Sequence, residues 1–280
     1  MTDKDSSSDK KLSDKKLRII LITAGSVLLA AAAFCTAYYF IESYSPGNVQ
    51  TEQYGPGSVT VTETSLHSEE SIPEQTDETS VQTEYVSPVD FASLQSINPD
   101  VYAWIEIPGT TISYPVVQRD SDDTYYLHRN PDGEYSASGS IFSESRYNGR
   151  DFTSPVTILY GHHTSADNMF GPLQEFFSNP DFLASDPVIT IYMPDGKYEY
   201  AVFAATPYDD SHILYFNDMS DPSVFMSFFN GILETRDLGT YVNEDNAPQD
   251  ASQRVLILST CLEGNTRRRF LVMGTLLPAT

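Results

Sequence analysis

At 280 residues, with 40% hydrophobic and 12% aromatic side chains, the chain has enough apolar surface for a real core, which excludes wholesale disorder. Sixteen Lys plus Arg stand against 39 Asp plus Glu, a formal charge of −23. A surface that acidic has little to displace counterions with, so nucleic acid is excluded as a partner. Two cysteines cannot build a disulfide scaffold or a four-cysteine zinc site.

The charge is unevenly spread. Residues 1–18 hold six bases and four acids, and residues 19–41 (IILITAGSVLLAAAAFCTAYYFI) hold no charge at all. As a helix that apolar stretch would measure about 35 Å, enough for a hydrocarbon core of about 30 Å. After Arg18 the next base is Arg119. The positive-inside rule therefore predicts a cytoplasmic tail (1–18), a single transmembrane helix (19–41) and everything beyond it outside the cell. Residues 42–86 carry nine acids and no base among Ser, Thr, Gln, Pro and Gly. They read as a disordered, self-repelling tether. A β-module around SVTVTET (58–64) is the weaker reading of that stretch.

From residue 87 the composition becomes globular. Asp90 is placed to cap a short helix, FASLQSI, which Asn98-Pro99-Asp100 ends. Eight short apolar runs bounded by turn residues follow: VYAWIEIP, ISYPVVQ, GSIFS, PVTILYG, VITIYM, YEYAVFAATPY, RVLILSTC and RRFLVMGTLL. Period-2 alternation with β-branched and aromatic residues says strand for most of them. DNMFGPLQEFF (167–177) and PSVFMSFFNGILETR (222–236) have helical periodicity. This is a mainly β domain, a barrel or sandwich with helical decoration.

Cys35 falls in the membrane segment, which leaves Cys261 as the sole thiol of the outer part. It ends the strand VLILST, where a side chain leaving the core meets solvent. A thiol nucleophile needs a proton donor and acceptor. His67 lies in the tether, His128 precedes a turn and His212 lies in a polar stretch. His162 and His163 follow the strand VTILYG, and His162 beside Gly161 is the better placed. Alternation sends the two to opposite faces, which argues against a shared metal ion. Arg267, Arg268 and Arg269 open the last strand. They form either a solvated basic patch or a guanidinium aimed at a developing oxyanion. Arg267 and Arg269 share one face.

The segments LSTC (258–261) followed by Arg-Phe-Leu-Val, and YGHH (160–163), resemble the sortases, Cys transpeptidases of Gram-positive cell surfaces. INPDVYAWIEIPGTTISYPVVQ (97–118), YYLHRNPDGEYSASGSIF (125–142) and MFGPLQEFF (169–177) are similar to class B in particular. The likeness covers residues 87–280. It implies a closed eight-stranded β-barrel with an N-terminal helix and a helix before the penultimate strand. It also implies catalytic roles for His162, Cys261 and Arg269, with Ser259, Thr260 and Arg267 near the substrate, and no cofactor or metal. The implied partners are secreted proteins with a C-terminal sorting signal and an acceptor amine on a peptidoglycan precursor or pilin. Ordinary pKa values near 8.5 for a thiol and 6.5 for an imidazole leave most such pairs neutral at pH 7, so slow turnover is expected. The alternatives are a membrane-anchored cysteine protease and an inactive surface-binding protein.

Overall fold

A computed structural model describes residues 85–164, 168–262 and 264–278. The basic tail, the apolar stretch 19–41 and the tether up to residue 84 lie outside the described residues. Among the described residues no helix is long and apolar enough to cross a membrane.

The domain begins with helix α1, Phe91–Ile97. Asp90 caps it, accepting from the Ser93 N–H at 3.0 Å and the Ser93 hydroxyl at 2.6 Å, and these bonds hold its carboxyl below the usual range. The helix ends at Asn98 because the next residue is proline, which forces extended backbone on the residue before it. Asn98 then donates to the Tyr126 hydroxyl and the Pro131 carbonyl, both at 2.6 Å. Tyr126 in turn donates to Asp100, which also receives Arg119 at 2.8 Å. This buried network fixes the 3-10 turn Tyr125–His128 against the barrel.

The eight apolar runs become β1 (Val101–Glu106), β2 (Ser113–Val117), β3 (Ile141–Phe142), β4 (Val156–Tyr160), β5 (Val188–Met193), β6 (Gly196–Tyr208), β8 (Val255–Leu262) and β9 (Asn265–Leu276). They close in the order β5-β1-β2-β3-β4-β8-β9-β6, with β6 pairing back to β5. The barrel is therefore eight-stranded, as expected. A two-residue strand, β7 (Tyr241–Val242), is added on the outer side of β6. Most pairs are antiparallel, but β2–β3 and β4–β8 are parallel.

Alternation sorts the side chains into layers. Leu256, Leu258, Phe270 and Val272 point inward with Ile105, Val116 and Leu159. Ile257, Leu271, Met273 and Ile158 point outward and pack on the helix Pro222–Leu233. That helix starts at an Asp221 cap followed by Pro222, and its Phe225, Phe229 and Ile232 form one apolar stripe. A third cluster, with Trp104, Val117 and Phe142, lies under α1.

Two helical expectations need correction. The described residues of the segment predicted over 167–177, which are 168–177, are not one helix: helix α2 is one turn, Leu173–Phe176, with Pro172 at its cap. Met169 has φ 50 and bridges to His163 instead. The apolar spacing there reflects Met169, Phe170, Leu173 and Phe177 reaching the core from a non-helical path. The helix predicted over 222–236 stops at Leu233. Two further one-turn helices were not expected, α3 at Pro180–Leu183, which Asn179 caps ahead of Pro180, and α4 at Ile213–Phe216, so the long helix is α5.

Candidate active site

Strand register places the candidate residues. Parallel β4 and β8 align Tyr160 with Ser259, and the Gly161 N–H donates to the Ser259 carbonyl at 3.1 Å. Antiparallel β8 and β9 set Cys261 directly opposite Arg269. Tyr160, Ser259, Cys261 and Arg269 thus share the outward parity of the residues packed on α5. Gly161 is required where it stands, because a Cβ there would lie 2.6 Å from Ile141 Cδ1 and Phe170 Cδ2.

These residues open onto a cleft of about 260 Å³, lined among others by His162, Cys261, Arg269, Ser259, Glu144 and His212. Cys261 is a half-buried free thiol. Arg269 directs its guanidinium to the thiol, with the nitrogen 3.8 Å from Sγ. A fixed cation at that distance is placed to meet negative charge developing on the sulfur or an adjoining oxygen. The His162 Nε2–H donates to the Leu127 carbonyl at 2.7 Å, since a carbonyl can only accept. The His162 ring also stacks on His128, with centroids 5.5 Å apart. The imidazole is therefore held on the Leu127 side of the cleft with its proton on Nε2.

The remaining residues named from sequence separate. Ser259 is buried and lines the cleft. Thr260 has the opposite parity: it still borders the cleft, but its buried hydroxyl has no hydrogen-bond partner among the described residues. Arg267 is exposed and lies outside the cleft lining, and Arg268 pairs with Asp237 at 3.1 Å. Register explains why Arg267 does not share the position of Arg269. Pairing jumps from Cys261↔Arg269 to Leu262↔Asn265, so no β8 residue stands opposite Arg267. His163 turns away from His162 and accepts from Gln174 at 3.1 Å.

A family model described as the Sortase domain matches residues 105–277. The chain belongs to the sortase family. Sortase B of Listeria monocytogenes is 31% identical over 168 residues, which is 60% of this chain and 65% of that protein's own length. Sortase B of Staphylococcus aureus is 30% identical over 198 residues, covering 69% of this sortase and 77% of the relative. The solved Staphylococcus aureus sortase B–substrate complex superposes with a TM-score of 0.59 at 28% identity, covering 70% of this chain and 88% of that one. These relatives place it with the class B sortases, whose family members are cysteine transpeptidases.

The sortase cleft has a second wall that sequence reading missed. Glu144 Oε2 accepts from His212 Nε2 at 2.7 Å and from the Tyr160 hydroxyl at 3.1 Å. Burial, and then the Glu144 charge, push the Tyr160 hydroxyl above its ordinary range, so it stays a donor. His212 Nδ1 accepts the Tyr215 N–H at 3.1 Å, which caps α4 and leaves both ring nitrogens engaged. His212 is thereby a fastener of the wall and has no nitrogen free for proton transfer. Nothing in the sequence around Glu144 sets it apart from the other acids.

Proposed function

We propose that the protein is a membrane-anchored cysteine transpeptidase. It cleaves a sorting motif in secreted proteins and transfers them to an amine of the cell wall or a pilus. The observation that carries the reading is the pairing of Cys261 with Arg269 across β8 and β9, the guanidinium 3.8 Å from the thiol, in a cleft that His162 also lines.

In this reading the Cys261 thiolate attacks the carbonyl carbon of a Thr residue, and Arg269 stabilises the resulting oxyanion. Collapse of the tetrahedral species breaks the C–N bond. Protonated His162 gives its proton to the departing amine, leaving a thioester on Cys261. The acceptor amine then attacks the thioester carbon, its proton passes to His162, and the C–S bond breaks to restore the thiolate. For this His162 exchanges its bond to the Leu127 carbonyl for one to substrate. The uncharged stretch 19–41 would hold the domain at the outer membrane face, and the acidic segment after it would act as a stalk.

The test incubates the full-length chain in detergent with Thr-containing sorting peptides and triglycine, followed by intact mass. The expected products are a Cys261 thioester and a ligated peptide, both absent in Cys261→Ala. Cleavage by Cys261→Ala would overturn the nucleophile. Hydrolysis with no ligation at any triglycine concentration would make the protein a protease. For the anchor, the chain should remain with membranes after an alkaline wash, and deletion of 19–41 should release it.

A further inference from the structure

The ladder between β4 and β8 ends where the Gly161 N–H meets the Ser259 carbonyl. Beyond that bond run the two tails on which the chemistry depends, His162-His163 on one strand and Thr260-Cys261 on the other. On its far side, β8 loses regular pairing with β9 immediately after Cys261. The nucleophile thus occupies the last regular position of its strand, where the ladder constrains it least.

Past the ladder, the described hydrogen bonds that connect the two tails are both made by Gln174 of α2. Its Nε2 donates to the Cys261 carbonyl at 3.3 Å and to His163 Nδ1 at 3.1 Å. One carboxamide nitrogen carries two hydrogens, so both bonds form together. The orientation of the amide is fixed, because a carbonyl offers no donor to the oxygen of Gln174. With its Nδ1 accepting, His163 keeps its ring proton on Nε2. Gln174 is itself held firmly: it is half-buried, and Leu173 and Phe177 on either side of it along α2 are in the barrel core.

We propose that Gln174 is a positioning residue that staples the His162 tail to the Cys261 tail and so sets the distance between imidazole and thiol. This rests on the reaction proposed above. Gln174 acts through the Cys261 peptide plane and through the residue next to His162. Reaction rates fall steeply when reacting groups are displaced by about 1 Å, so a loose tail would cost turnover more than binding.

The test compares the full-length parent with Gln174→Leu, Gln174→Glu, His163→Phe and the Gln174→Leu/His163→Phe double variant. Three quantities are read: kcat and KM for peptide cleavage, the iodoacetamide alkylation rate of Cys261, and Tm. Both Gln174 variants should lower kcat by about 10- to 100-fold with KM changed by less than about twofold. Gln174→Glu keeps the length but presents an acceptor to the Cys261 carbonyl, so it should not rescue. The alkylation rate should change several-fold at unchanged Tm. His163→Phe should lose less, and the double variant should be no worse than Gln174→Leu, because the two act as one unit. A kcat within about twofold of the parent would overturn the staple. So would a loss that tracks Tm and disappears on cooling, or additive effects in the double variant. If the parent itself cleaves no Thr peptide, the reaction is wrong. Alkylation still decides Gln174 in that case, since parent-like Cys261 reactivity in Gln174→Leu overturns its role.

Discussion

Cys261 and Arg269 reach the cleft on adjacent strands, whereas Glu144, His212 and Leu127 reach it on three separate segments between strands. The strand side is set by register. Displacing Cys261 by one residue would turn it to the interior and carry every neighbour on β8 with it. The facing side depends on a few side-chain bonds, chiefly Glu144 with His212 and Tyr160. A wall of that kind can change one residue at a time while the barrel stays intact. In the proposed reaction the first side supplies the nucleophile and the oxyanion donor, His162 brings its proton from the Leu127 side, and the loop wall is the proposed place of peptide recognition.

The sharpest way to break this division is Arg269→Ala. Loss of an oxyanion-stabilising donor costs about 10²- to 10³-fold in kcat, and KM should barely move. Arg269→Lys should recover little, because an ammonium does not reproduce the planar guanidinium fork. Steady-state kinetics that put the loss in KM instead would merge the two sides.

Next in size is an alkaline limit on the framework. Burial pushes the hydroxyls of Tyr102, Tyr160 and Tyr200 upward. A raised folded-state pKa means the protonated form is favoured by folding. The stability it contributes is complete below about pH 10, the ordinary tyrosine value, and is lost as pH rises beyond it. Tm followed against pH, with tyrosinate absorbance, should show ionisation and unfolding together. Ionisation of all three before any fall in Tm would contradict their burial.

Gly161→Ala tests the strand side by steric means. The added Cβ meets Ile141 and Phe170 at 2.6 Å, and such overpacking costs about 1–3 kcal/mol, readable by denaturant titration. The smallest effect belongs to Glu144→Gln. The pair with His212 is partly solvated and contributes about 1 kcal/mol or less to stability. Peptide KM should rise a few-fold while kcat holds. A collapse of kcat would mean that the loop side takes part in the chemistry.

All eight barrel strands could be read from the sequence because each is a short run rich in β-branched and aromatic residues bounded by turn residues. Strands β1, β4 and β8 are buried on both faces and so leave near-continuous apolar runs. The residues 167–177 misled for a related reason. Met169, Phe170, Leu173 and Phe177 are spaced as on a helix and do enter the core, but Gly171 and Pro172 break the path. In the site, Cys261 and His162 stood out as a thiol and an imidazole at strand ends. Arg269 could not be told from Arg267 by alternation, since the irregularity after Cys261 that separates them is a property of the pairing. Glu144 and Gln174 left no trace at all. Glu144 meets His212 from 68 positions away and Gln174 meets Cys261 from 87, and no local pattern encodes such a meeting.

The parallel pairing of β4 with β8 has one more consequence. Parallel neighbours cannot be joined by a tight hairpin, so the chain must leave the rim after His163 and travel round the barrel before returning to deliver Cys261. That excursion includes α4, whose capping His212 and first residue Ile213 line the cleft. Residues 210–213 therefore line the cleft from a connection outside the β8–β9 register, and substitutions there leave the pairing of Cys261 with Arg269 in place.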